Sequence, residues 1–136
     1  MNNDFKLIIN DSDISLGNYI SINFQKKYAK LPLIAIVETL GCDVEWYNKN
    51  KVTITFDNNV YILNPVEKTL KKKGDSFNII SIPPGTKHNG YYQIEKNEII
   101  IDSDSIRHFI NLLGAKITID YDAGIIKICN TGGGSW

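Results

Sequence analysis

The chain states one structural pattern twice. Residues 31–54 read LPLIAIVETLGCDVEWYNKNKVTI, and residues 104–128 read DSIRHFINLLGAKITIDYDAGIIKI. Each segment is apolar at helical spacing, stops at Leu-Gly, and continues as an alternating strand, a polar turn and a second strand. Leu40-Gly41 aligns with Leu113-Gly114, an offset of 73 residues. An internal repeat constrains architecture before any residue carries chemistry. It predicts an α+β fold in which two helix-plus-antiparallel-hairpin repeats share one core. A single domain is expected over residues 1–130, with the repeats at about 5–63 and 77–129 and a flexible tail at 131–136. In a minority reading, Trp136 docks that tail in a groove.

In the first copy, Pro32 suits a first helical turn, because its missing N–H has no partner there anyway. Leu33, Ile36, Val37 and Leu40 then form one apolar stripe. Gly41 takes the left-handed cap conformation. On the strand that follows, Val44 and Trp46 point one way and Asp43 and Glu45 the other. Asn48-Lys49-Asn50 turns the chain, Val52, Ile54 and Phe56 alternate with Thr53 and Thr55, and Val60 to Leu63 add another strand.

The second copy has Ser103 as the expected N-cap and Asp104 in the first turn. Ile106, Phe109, Ile110 and Leu113 make its stripe, and Gly114 ends it. Its hairpin turns through Tyr121-Asp122-Ala123-Gly124. That connection is one residue longer than the first, so the register is expected to differ at the turn. Outside the copies, residues 5–10, 19–24, 77–80, 91–94 and 98–102 read as strands. Gln25 to Lys30 reads as a polar connector. Residues 64–90 are the least regular part. Lys68 to Lys73 reads as a solvated face or loop, with an anionic-ligand patch as the alternative.

Charge narrows the function classes. Fifteen basic residues balance fifteen acidic ones, which argues against a nucleic-acid binder or a polybasic membrane-surface protein. No apolar stretch reaches the roughly 20 residues needed to cross a bilayer. The start, MNNDFKLIIN, lacks the basic patch and apolar run of a signal peptide. The chain is therefore expected to be soluble, with its compartment open. Cys42 and Cys129 have no CxxC partner and are expected to be separate thiols.

The first copy, with Leu31-Pro32-Leu33, Leu40-Gly41, Val44-Glu45-Trp46 and Val52-Thr53-Ile54, resembles the copper amine oxidase N-terminal-like domain, or stalk domain. The second copy keeps Leu113-Gly114, Ala115-Lys116-Ile117 and Ile126-Lys127-Ile128, loses the Pro-Leu start, and has Ile119 in place of the tryptophan. The resemblance implies a small antiparallel sheet wrapped against helices, in a tandem arrangement. It also implies a bacterial module that is extracellular or at the cell surface, with neither the copper nor the quinone of the amine oxidases.

Among single residues, Trp46 is expected to pack over a helix, with ligand stacking as the alternative. Gly41 and Gly114 are structural. His108 faces away from the Ile106, Phe109, Ile110 and Leu113 stripe on the helical wheel and reads as a surface residue. His88, Asn89, Tyr91 and Tyr92 lie in or beside the Pro-Gly loop of residues 83–92, the kind of loop in which recognition residues sit. No nucleophile elbow or phosphate cradle is present. Asp11-x-Asp13 and Asp102-x-Asp104 lack the loop of a calcium site. The expectation is a protein that is not an enzyme and uses no cofactor or metal: a structural or interaction module for a protein or a cell-envelope polymer. The alternative is a sugar- or peptide-binding domain using the 83–92 loop. The oligomeric state stays open.

Overall fold

Leu31 and Ile101 each lie two residues before a helix, and the fold is built around their pairing. The computed structural model describes residues 5–14, 20–23, 28–77, 79–81, 92–95 and 97–130. In chain order its elements are β1 (Lys6–Ile9), β2 (Ser12–Asp13), β3 (Ser21–Asn23), β4 (Tyr28–Pro32), α1 (Leu33–Thr39), β5 (Asp43–Asn48), β6 (Lys51–Phe56), β7 (Asn59–Asn64), β8 (Thr69–Lys72), β9 (Ile80–Ser81), β10 (Tyr92–Glu95), β11 (Glu98–Asp102), α2 (Ser103–Leu112), β12 (Ala115–Asp120) and β13 (Ile125–Asn130). The mixed α+β class read from the repeat is the one found.

The central sheet runs β10-β11-β4-β3, all neighbours antiparallel. Leu31 faces Ile101 across the β4–β11 pair, and both are buried. Exchanging the two copies reverses the strand order onto itself, so a local twofold passes through that pair. From each inner strand the chain enters a helix, stops at Leu-Gly and forms a hairpin, β5-β6 or β12-β13. The first hairpin is extended by β7, β8 and β9 into a five-stranded sheet, order β5-β6-β7-β8-β9. The second is flanked by β1, parallel to β13, and then by β2.

Both helices bury the faces expected of them. Leu33, Ile36 and Val37 of α1, and Ile106, Phe109 and Ile110 of α2, have no exposed surface, and Leu40 and Leu113 close each stripe. Full burial of one such side chain contributes roughly 1.5–3 kcal/mol. These residues join buried residues from the strands of both copies in one apolar cluster. Tyr61 of β7 meets Phe109 of α2 edge-to-face, with ring centroids 5.0 Å apart. That contact ties the first copy's sheet to the second copy's helix.

Gly41 and Gly114 end the helices at φ +102° and +80°. At Gly41 the amide donates to the Glu38 carbonyl at 3.0 Å, and the Cys42 amide donates to the Val37 carbonyl at 2.9 Å. These two bonds make a complete Schellman cap. The extra residue in the second connection is also accounted for. Residues 121–124 form a four-residue turn, whereas β5 carries an irregularity between Trp46 and Asn48 before the tight Lys49-Asn50 turn.

Several local expectations are corrected. Pro32 is not in the first turn. It is the last residue of β4 and the N-cap of α1, with no side-chain cap of its own. Residues 28–30 of the expected connector belong to β4, because pairing with β3, and at Lys30 with β11 as well, supplies the ladder that the local sequence does not announce. The N-cap of α2 is Asp102, not Ser103, which is its first helical residue. The lysine-rich stretch is not a loop throughout: Thr69–Lys72 is β8, held by pairing with β7. The 131–136 tail lies outside the described residues.

Candidate functional site

Catalysis begins with groups whose ionisation is perturbed, and here four such groups have structural duties. Cys42 is buried under the first Leu-Gly stop, and desolvation followed by the charge of Asp43 pushes its thiol up to about 12. A thiol held protonated is not a nucleophile. Cys129 is free and exposed. The hydroxyls of Tyr61 and Tyr121 are raised chiefly by burial.

Glu98 is part-buried on β11 and supplies the cap that Pro32 lacks. Its carboxylate accepts from the amides of Ile34 at 2.7 Å, Ala35 at 3.1 Å and Ile99 at 2.9 Å. Burial pushes its pKa up. The three N–H donors oppose that shift, and the Glu38 charge adds to it. At the other junction, Asp102 caps its own helix, accepting from the Ser105 amide at 2.8 Å and the Ser105 hydroxyl at 3.0 Å. The buried Ser103 hydroxyl accepts from the Ala29 amide of β4 at 3.0 Å.

His88, Asn89 and Tyr91, from the expected recognition loop, lie outside the described residues. Tyr92 is in β10, its backbone paired with Ile101. Trp46 sits opposite Val52 on the inner side of the five-stranded sheet, partly buried against the core. His108 is exposed on α2. Among the described residues no three His, Cys, Asp or Glu side chains gather as a metal site would require, and no helix is long and apolar enough to cross a membrane.

What the register does assemble is a patterned outer face on the five-stranded sheet. One cross-strand row reads Asp43, Thr55, Val60, Lys73, and the next reads Glu45, Thr53, Ile62, Lys71. In each row an exposed acid on β5 is followed by two half-buried residues and an exposed lysine at the β8 side. Strand spacing puts the acid and lysine of one row about 14 Å apart. That is beyond the Debye length of about 8 Å at physiological salt. Glu45 accepts from the Tyr47 hydroxyl at 3.1 Å. In the sequence the outward acids and the lysine run are legible only separately. The signal that joins them is the alternation on all four strands, and it becomes a row only when the three turns fix the register.

Two of the sheet edges, β12 and β5, carry features that oppose further pairing. On β12, the Arg107 guanidinium donates to the Ile117 carbonyl at 2.7 Å. On β5, outward acids and the register irregularity oppose further pairing. An open groove of about 280 Å³ lies on the second hairpin, lined by Thr118, Ile119, Asp120, Ile125 and Lys127. It is smaller than ligand pockets of about 300–1,000 Å³. The Asp120 carboxylate is already used by its turn, accepting from the Ala123 amide at 3.0 Å. Compared with protein-family models, with curated proteins and with solved structures, the chain matches none.

Proposed function

We propose that this chain is a non-enzymatic interaction module that engages a protein or a cell-envelope polymer through the outer face of its five-stranded sheet. The observation that carries this reading is the pair of acid–Thr–aliphatic–Lys rows. They combine a half-buried centre with charged margins, the layout of an interface core and rim. The commitment of Cys42 and Glu98 to packing and capping supports it. So does the resemblance to stalk domains, which are modules of bacterial cell surfaces.

The test is retention of the protein on purified peptidoglycan sacculi, run beside cross-linking to protein partners. Wild type is compared with Thr53→Glu/Ile62→Glu, which alters the outer face and leaves the buried Val52, Ile54 and Leu63 in place. At least one kind of partner is expected to be bound by the wild type and lost by the variant. Equal binding by both proteins, or binding by neither, overturns the reading.

A further inference from the structure

We infer that the occupant of this sheet face is a second copy of the chain, packed face to face about a twofold axis parallel to the strands. The inference rests on reading the face as an interaction surface and names its partner. The argument is charge complementarity with a direction. Both rows carry their acid at β5 and their lysine at the β8 side. A twofold along the strands turns one sheet over so that β5 of one copy lies across β8 of the other. Asp43 then opposes the second copy's Lys73, Glu45 opposes its Lys71, and the contacts recur by symmetry. A twofold along the rows places acid on acid and lysine on lysine, so the charges select one axis.

The centre fits this arrangement. Thr55 and Thr53 of one copy lie against Val60 and Ile62 of the other, with β-branched side chains on both surfaces. Sheets packed face to face tolerate a rotation of about 30° between strand directions, which the native twist requires. Asp43, Glu45, Lys71 and Lys73 are all exposed at the margins of the face. Edge-to-edge association is the competing route, and at β12 and β5 the Arg107 bond and the register irregularity work against it.

Three strands of six residues and one of four give a face of about 360 Å² per copy at standard strand spacing and rise. The total of about 700 Å² is below the 1,200 Å² or so of stable interfaces and within the weak, transient class. The dimer is therefore expected to depend on concentration and salt.

The experiment is sedimentation equilibrium of the full chain at low and high salt, with two charge-reversal variants, Asp43→Lys/Glu45→Lys and Lys71→Glu/Lys73→Glu. The wild type is expected to dimerise at low salt and dissociate as salt is raised. Each variant alone carries one sign at both margins and is expected to associate at least about tenfold more weakly. An equimolar mixture of the two variants is expected to recover a heterodimer, which a merely misfolded variant cannot do. A wild type that stays monomeric at every concentration, or variants that dimerise as it does, overturns the second copy as occupant. If that monomer still loses sacculus or partner binding in Thr53→Glu/Ile62→Glu, the interaction-face reading stands alone. If it binds nothing, both fall.

Discussion

Replacing Glu98 with alanine removes the side chain that, among the described residues, caps α1. The amides of Ile34 and Ala35 belong to the first helical turn, and both end on this carboxylate, at 2.7 and 3.1 Å. A lost N-cap costs about 0.5–2 kcal/mol. Two donors left part-buried without an acceptor raise the figure, at about 1–3 kcal/mol for each donor that water cannot reach. Glu98→Ala is therefore expected to destabilise the protein by about 2–4 kcal/mol, roughly 6–16 °C in Tm for a chain of this length. Glu98→Gln keeps one acceptor oxygen and should lose about half as much. The pH dependence has a definite sign. Burial raises the carboxyl above its ordinary value of 4.5, so the native state holds its proton more tightly than the unfolded state does. Stability from this site is then fully present below the unfolded pKa and falls as pH rises through the folded one. Thermal melts of wild type and both variants at pH 5 and pH 7.5 check this. The wild type should gain more than Glu98→Gln on acidification. An alanine variant that melts with the wild type would show that α1 needs no cap from the other repeat.

Other outcomes follow from single residues. With 5,5′-dithiobis(2-nitrobenzoic acid), Cys129 should react at once and Cys42 only on unfolding; two fast thiols in the native protein would contradict the buried, protonated Cys42. Trp46→Ala should cost about 2–3 kcal/mol in urea melts, less than a fully buried tryptophan, because the ring is only partly covered. An unchanged midpoint would return Trp46 to the list of binding residues. Gly41→Ala should cost about 1 kcal/mol through its positive φ alone, since an added Cβ meets nothing within 4 Å; Gly41→Asn should cost less. Residues 1–90 and 91–136 expressed separately should each lack folded structure by circular dichroism and recover it when mixed. A folded fragment on its own would contradict a shared core.

The parts of the fold legible in the sequence are those governed by local rules. Leu-Gly stops, the spacing of Leu33, Ile36, Val37 and Leu40, and the alternation of Val52 to Phe56 all depend on neighbours within a few residues. The two helix starts differ from the sequence expectation by one position. For α1 the capping group is distant, the Glu98 carboxylate being 64 residues from the Ile34 amide it accepts from. For α2 the cap is local, but Asp102 takes the position for which Ser103 is an equally good residue type, and the Ser103 hydroxyl is held by an amide 74 residues away. β8 was hidden because lysines at 71 and 72 mask its alternation, and only pairing with β7 makes it a strand. The outer face was out of reach for the same reason. Its acids and lysines lie on strands whose alignment is a property of the whole sheet, not of any one segment.

The two copies have kept one scaffold and divided its chemistry. Asp102 caps its helix from the N-cap position, and Pro32 at the same place in the other copy has no side chain able to do so. The missing function crosses the twofold: Glu98 of the second copy's strand reaches the first copy's helix. A third bond of the same sense runs from the first copy's Ala29 amide to the second copy's Ser103 hydroxyl. Each helix start therefore bonds to the other copy in a part-buried setting, where an unmet donor is costly. In isolation the first repeat would leave the amides of Ala29, Ile34 and Ala35 without these acceptors. This explains why a 7-residue helix, too short to hold in water by propensity alone, is stable here. With that junction interlocked at the centre, each hairpin's outer surface carries little structural duty. In the first hairpin's sheet, β7 and β8 add Tyr61, Leu63 and Leu70 to the core on one face while Val60, Ile62, Lys71 and Lys73 lie on the other.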